Sequence, residues 1–148
     1  MGRYLVVAHQ TASSPELLDK LKELATADGE AEFVLLVPAT PVRHLLTGTT
    51  EGEALEVARH AGEAAWKLLD QNGLKVSRVA VGDSVPVRAV LDDLRDHPAS
   101  YDAIVVSTFP LGISRWLGVD ILHQMRRRFD IPVIHVVAEA RTATSAEP

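Results

Sequence analysis

The sequence predicts an α/β fold, a single doubly wound five-stranded parallel sheet with helices on both faces. Two observations support this prediction. Five short segments are rich in β-branched and apolar residues, as expected of strands buried on both faces. Helical patterns separate each strand from the next, and we find no internal repeat or linker. Strict alternation implies parallel strands joined by right-handed crossovers, and 148 residues fit one domain.

Composition narrows the range of functions. The formal charge of −5 argues against sequence-independent nucleic-acid binding, which needs a basic face. The basic triplet at 126–128 falls in the last turn of a predicted helix, where cations complement the helix dipole. There is no cysteine, which excludes disulfides and thiol catalysis. Without an apolar run of about 20 residues or a signal-peptide core, we expect a cytoplasmic protein with no membrane contact.

The first half of the chain opens with a buried strand at residues 4–8. Ser14 followed by Pro15 is a helix start, because serine can accept a bond from a free N–H and proline suits the first helical position. Leucines at helical spacing give this helix an apolar face, and Gly29 is predicted to end it. Strand two is predicted at residues 31–37.

A long polar connection follows at residues 38–50. It exceeds the usual length of about 4–6 residues, and loops of this kind are often lids or binding loops. Thr50 with Glu53 reads as a capping box that opens a long alanine-rich helix. Gly73 is predicted to terminate that helix, and strand three covers residues 76–81.

The third helix has Pro86 in its first turn and is closed by His97 and Pro98. Its predicted core face is formed by Val87, Val90, Leu91 and Leu94. We interpret the acidic run at residues 92–96 as a solvated helix face.

The segment at residues 101–137 is predicted as strand, turn, helix and strand. The strand covers residues 101–108, the helix runs from Ile113 to Arg128, and the last strand covers residues 132–137. The domain is expected to span residues 1–140, with a disordered polar tail at 141–148. In an open α/β sheet, ligands bind outside the carboxyl ends of the strands, where a helix N-terminus can receive an anion. A small-molecule site is therefore expected near residues 107–118.

With the strands placed, the whole chain resembles the universal stress protein family of Rossmann-like, adenine-nucleotide-binding folds. Five segments carry the resemblance. The opening strand runs into His9, Gln10 and Thr11; the Gly82-Asp83 turn precedes the third helix; and the segment from Tyr101 to Val106 is similar to the family's D-L-I-V-M-G strand. Residues 112–118 and 131–136 are similar to its phosphate loop, helix and last strand.

The family's nucleotide signature is Gly, two residues, Gly, nine residues, Gly, then Ser or Thr. Here Ser107 stands at the first glycine, Pro110 stands near the second, and Val119 replaces the hydroxyl residue. The serine adds a side chain and the proline removes an N–H, so the triphosphate cradle is predicted to be damaged. Gly118 matches the signature. The resemblance implies ligand contacts at His9, Thr11, Val37, Ser107, Gly112, Ser114, Arg115 and Gly118.

Two of these residues also have a purely structural interpretation. His9 could be a hydrogen-bonded strand-end histidine, and Arg115 a solvent-exposed side chain rather than a phosphate ligand. The six histidines show no HxH or HExxH spacing, which gives a metal site little support. No catalytic constellation can be assembled, and the signatures of a phosphoacceptor receiver or flavodoxin loop are incomplete.

Two hypotheses follow. In the first, the chain is a non-catalytic, stress-related sensor or regulator that acts through dimerisation and binding of a small anion; the resemblance implies a homodimer through the last strand. In the second, it is an ATP- or AMP-binding protein that uses an altered phosphate loop at residues 107–119.

Overall fold

A computed structural model describes residues 2–39, 51–98, 100–110 and 118–138, with residues 51–52 and 118–120 described by backbone alone. The described residues form five strands and four helices in strict alternation. In chain order these are β1 (Arg3–Val7), α1 (Pro15–Ala27), β2 (Glu32–Pro38), α2 (Glu51–Gln71), β3 (Lys75–Gly82), α3 (Pro86–Asp96), β4 (Ala103–Thr108), α4 (Gly118–Arg128) and β5 (Val133–Val137).

The five strands form one parallel sheet in the order β3-β2-β1-β4-β5. The chain first moves outward from β1 to β3 and then crosses back to β4, so the switch point of the topology lies between β1 and β4. The predicted fold class is confirmed. A crevice is expected at this switch point, outside the carboxyl ends of β1 and β4.

Two hydrophobic layers stabilise the sheet, one on each of its faces. One face carries the α1 and α2 side chains, packed on alternate strand residues such as Val6, Leu35 and Val105. The opposite face packs α3 and α4 against the intervening residues, among them Leu5 and Ile104. All six residues of β4 are buried, because helices cover both faces of this inner strand.

The start of α1 is the one predicted. The Leu17 backbone N–H donates to Ser14 Oγ over 3.2 Å, and Pro15 occupies the first helical turn. The end of α1 differs from the prediction. The helix stops at Ala27 with Asp28 as an extended cap, so Gly29 lies outside the cap and does not adopt the left-handed conformation.

The end of α2 is the one predicted. Gly73 has a φ of 79°, the left-handed region that glycine enters without steric cost. The Leu74 N–H returns to Leu69 O and the Gly73 N–H to Asp70 O, each over 3.0 Å. This pair of bonds is the Schellman arrangement, which satisfies the last carbonyls of the helix.

The predicted solvated face of α3 is wrong at Asp93. This carboxylate is buried and accepts two bonds from the Arg78 guanidinium of β3, over 2.8 and 3.1 Å. The Tyr101 hydroxyl, just before β4, lies 3.4 Å from the same guanidinium. The sequence of an acidic run does not show that one of its carboxylates faces the sheet and pairs with an arginine of a strand there.

The remaining boundaries shift by one or two residues. The strand predicted at residues 101–108 begins at Ala103, and Ile121 and Met125 lie on the buried face of α4 as predicted. Several predictions fall outside the described residues: the Thr50 cap, the start of α4 at Ile113, most of the 38–50 loop and the tail.

Candidate functional site

The chain leaves β1 through a tightly folded turn. Ala8 still donates its N–H to Leu36 O over 3.2 Å, which keeps it beside β2. Two bonds then close the turn, from Ala12 N to His9 O and from Ser14 N to Thr11 O, over 3.1 and 3.0 Å. The turn leads directly into the capped start of α1. The polar side chains that follow β1 are therefore fixed at the switch point.

A hydroxyl pair spans the switch point. Thr11 Oγ1 and Ser107 Oγ lie 2.6 Å apart, although 96 positions separate these residues in the chain. Both side chains are buried, with relative exposures of 3% and 1%. Each hydroxyl can donate once and accept twice, so the pair keeps acceptor capacity for a further donor. The structure thus brings together two residues predicted for the site.

His9, two residues before Thr11 in the same turn, has a buried imidazole. The residue is 5% exposed, and neither Nδ1 nor Nε2 has a hydrogen-bond partner within the part of the chain that the structure describes. Burial lowers the pKa of His9, so the ring is neutral at pH 7 and offers one donor and one acceptor. The predicted alternative, a hydrogen-bonded strand-end histidine, finds no support among these residues. A buried polar group without a partner costs about 1–3 kcal/mol, and such groups occur at binding sites.

A second polar pair lies on the opposite face of the sheet. Thr108 Oγ1 is 2.8 Å from His135 Nε2 and also donates to Phe109 O over 2.8 Å. Because the hydroxyl proton is used on Phe109, the imidazole must donate from Nε2, which leaves Nδ1 as the acceptor of the neutral ring. Burial, followed by the charge of Arg126, lowers the pKa of His135. Sequence reasoning missed this pair; the available signal was a histidine in an apolar strand predicted next to the one that ends at Thr108.

The other predicted site residues are distributed differently. The Val37 side chain is fully buried in the core under α1 and α2, which leaves its backbone as the part nearest the strand end. Gly118 is the first residue of α4. Gly112, Ser114 and Arg115 lie outside the described residues.

Two of the predicted departures from a glycine-rich phosphate cradle, at Ser107 and Pro110, fall within the described residues. Such a cradle needs free backbone N–H groups and no side chain at the close approach. Ser107 instead fills its position with a buried side chain bonded to Thr11, and Pro110 has no N–H to offer. Ser107 therefore lies near the end of β4, which borders the switch point, and Pro110 follows that strand by two residues.

Two further searches cover the described residues. No group of three or more His, Asp or Glu side chains among them is placed to hold a metal ion. None of the helices, as far as they are described, is long and apolar enough to cross a membrane.

The sheet order, with its switch point between β1 and β4, defines an open, doubly wound α/β domain. Within that class, the chain has the fold of universal stress proteins. It is similar to the universal stress protein of Archaeoglobus fulgidus, with a TM-score of 0.61, 15% identity, and coverage of 92% of this chain and 98% of the other. A family protein from Burkholderia pseudomallei gives 0.62 and 17%, covering 93% and 96%.

A third similar structure is a universal stress protein family protein of Arabidopsis thaliana with AMP bound, with a TM-score of 0.59, 14% identity and coverage of 96% and 95%. No protein-family model matches the sequence, and no curated protein matches it either. The similarity therefore lies in the fold.

Proposed function

We propose that this chain is a non-catalytic regulatory domain of the universal stress protein type, which forms a homodimer and binds a small anionic ligand or nucleotide at the crevice between β1 and β4. In this proposal it acts in the cytoplasm as a stress-related sensor, and ligand occupancy is its signal. No side chain in the proposal performs chemistry on the ligand.

The observation that carries the ligand part is the unpartnered imidazole of His9. A ligand that reaches both ring nitrogens would remove the cost of burying them without hydrogen bonds. The neighbouring Thr11 and Ser107 hydroxyls add donors and acceptors within the same crevice. A neutral histidine and two hydroxyls suit a hydrogen-bonding ligand of modest charge better than a triphosphate.

The test is a thermal-shift titration of the purified protein with inorganic phosphate, AMP, ADP, ATP and cyclic nucleotides, together with mass spectrometry for a co-purified ligand. A ligand present at 100 times its Kd adds about 2.7 kcal/mol of stability. For a domain of this size the corresponding rise in Tm is about 5–10 °C. Absence of any co-purified ligand and of any shift with this panel would contradict the ligand part of the proposal.

Variants tie the effect to the site. His9→Leu removes both unpartnered nitrogens, so we expect the free protein to remain folded and the ligand-induced shift to disappear. His60→Leu, at an exposed histidine of α2, is the matched control and should retain the full shift. Gly118→Asp places a carboxylate at the start of α4 and should also abolish binding of an anion, because like charges repel. An unchanged shift in both site variants would move the ligand away from this crevice.

A second candidate is a true ATP- or AMP-binding protein. The observation that favours it is the AMP bound in the similar Arabidopsis structure. AMP has one phosphate and ATP has three, so AMP binding depends less on the phosphate cradle. The substitutions at Ser107 and Pro110 affect that cradle and therefore matter less for AMP. In the same titration, this candidate predicts a larger shift with AMP than with inorganic phosphate. It also predicts that Arg115→Ala weakens AMP binding.

The dimer part of the proposal depends on the two edges of the sheet. The β3 edge carries Lys75 and Arg78, and its register shifts at Phe33 and Val34 of β2. Charges and irregularities of this kind prevent an edge strand from pairing with another chain. The β5 edge has the sequence Val-Ile-His-Val-Val, with no charged residue or proline, and Val137 is 37% exposed. An edge strand whose own residues carry neither charge nor proline favours pairing with a second copy.

A further inference from the structure

Within the described residues β5 pairs with β4 alone, and the backbone groups on its other edge follow a definite pattern. Pro132 O accepts from Ile104 N, and Ala138 N donates to Thr108 O, each over 2.8 Å, so even-numbered residues direct their polar backbone groups toward β4. Since successive residues of a strand alternate, Val133, His135 and Val137 direct theirs away from the sheet. In agreement, the outward Val133 O is reached by the exposed Arg126 guanidinium, over 3.3 Å.

These three outward residues define a symmetric register. His135 is the middle residue of β5. If two copies pair antiparallel about a two-fold axis at His135, that residue meets its own copy and Val133 meets Val137 of the other chain. All three outward residues then form hydrogen-bonded pairs, in which both N–H and both C=O groups are used. A register shifted by two residues would leave one end of each strand unpaired.

We propose that His135 lies on the two-fold axis of a β5–β5 homodimer and makes that dimer dissociate on acidification. The inference rests on the dimer part of the proposed function and adds its register and its regulation. In this register the two imidazoles project from the same face of a continuous sheet. Directly opposed residues have Cβ atoms about 4.5–5.5 Å apart, and like charges in such positions destabilise the pairing. Neutral rings pack together; protonated rings repel.

The surroundings of His135 support this behaviour. On its own face the described neighbours are the Thr108 hydroxyl of β4 and Arg126 of α4, so the charge already present is positive. On the other side of β5, a groove toward α1 is lined by Glu16, Asp19, Lys20 and Glu23, together with His135 and Val136. A second copy contributes another His135 and another Arg126. Dimerisation therefore disfavours the protonated ring further, and by linkage protonation disfavours the dimer.

The test is the dimer dissociation constant, measured by analytical ultracentrifugation between pH 8.0 and 5.5, with circular dichroism to confirm folding at each pH. We expect the constant to rise at least tenfold toward pH 5.5 in the wild type. His135→Gln, which cannot be protonated, should reduce the change to less than twofold. His60→Gln is the control and should behave like the wild type.

A second variant tests the effect of a positive charge at this position without a change of pH. His135→Lys carries its charge at pH 7.5 and should be a folded monomer, whereas His60→Lys should remain a dimer. A folded His135→Lys dimer, or equal pH dependence in the wild type and His135→Gln, would overturn the inference while leaving the homodimer intact. Absence of a wild-type dimer at every pH would overturn both the inference and the dimer part of the proposed function. The ligand part is tested separately by the thermal shifts.

Discussion

At the scale of single residues, Asp93 has the most demanding environment in the described part of the molecule. Its carboxylate is buried under α3 and is held by the two-pronged bond from Arg78. His97 Nδ1 lies 3.8 Å away, one turn further along the chain. Removing the carboxylate leaves the half-buried Arg78 guanidinium, 27% exposed, without its ion-pair partner, which costs more than the pair contributes.

We therefore expect Asp93→Asn to lower the free energy of unfolding by about 2–4 kcal/mol, measured by urea denaturation at pH 7. Asp92→Asn, one residue earlier on the same helix, is the control. Its carboxylate is more exposed and pairs with the exposed Arg95, so its loss should change stability by less than about 0.5 kcal/mol. Equal effects from the two variants would mean that the buried pair has no special importance.

The lowered pKa values of His9 and His135 predict how the free energy of unfolding depends on pH. Burial lowers the pKa of each ring in the folded chain, so the unfolded chain binds more protons as the pH falls below about 6.5. The stability from the neutral rings is complete above that pH and is lost toward the lowered folded pKa. The free energy of unfolding should fall from pH 7.5 to 5.5, by at most about 1.4 kcal/mol per pH unit for each histidine.

Urea denaturation across this range checks the expectation, under conditions in which the protein is monomeric. His9→Gln should reduce the slope, and His60→Gln should leave it unchanged. A His9→Gln protein with the full wild-type slope would show that His9 is not a source of the pH dependence.

At the scale of elements, the glycines after α1 and α2 differ although both follow a helix. Gly73 takes the left-handed conformation, whereas Gly29 does not. A Cβ built on either residue has no heavy atom within 4 Å, so space does not distinguish them. Any difference on substitution must come from the backbone conformation.

Gly73→Ala should destabilise the fold by about 1–2 kcal/mol, because an L side chain is strained at positive φ. Gly29→Ala should be neutral or stabilising by up to about 1 kcal/mol, since it restricts only the unfolded chain. Thermal unfolding of the two variants beside the wild type measures both. A Gly29→Ala loss as large as that of Gly73→Ala would contradict the assigned ends of the helices.

At the scale of the whole molecule, the two edges of the sheet predict different responses to an added charge. Val137→Lys places an ammonium group on the free edge of β5, where a second copy would have to cover it. We expect the dimer dissociation constant to rise at least tenfold while the monomer stays folded. Ser77→Lys, on the exposed edge strand β3, is the matched control and should leave the dimer unchanged in sedimentation experiments. Dissociation in the control alone would place the interface on β3.

Local chemistry explains which features could be predicted from the sequence. Ser14 with Pro15, and Gly73 after a helical run, are recognisable because a helix end requires particular residues at fixed neighbouring positions. Gly29 shows the limit of that reasoning. A glycine close to a helix end is recognisable, but whether it takes the left-handed position depends on where the packing of α1 stops.

The candidate site residues stay a prediction. His9, Thr11 and Ser107 are implied by the family resemblance, and the structure brings the latter two into hydrogen-bond contact. Neither the missing partners of His9 nor the Thr108–His135 pair could be predicted. Both depend on spatial distances between side chains that are far apart in the sequence.

By itself, the sequence determined the fold class, because alternating apolar strands and amphipathic helices have few ways to bury their faces. Only the tertiary structure decided that Asp93 is a buried ion-pair partner, that a hydroxyl pair spans the switch point and that Val133, His135 and Val137 direct their backbone groups away from the sheet. These features arise from contacts between residues far apart in the chain. Their geometry is fixed when the sheet and its helices pack together.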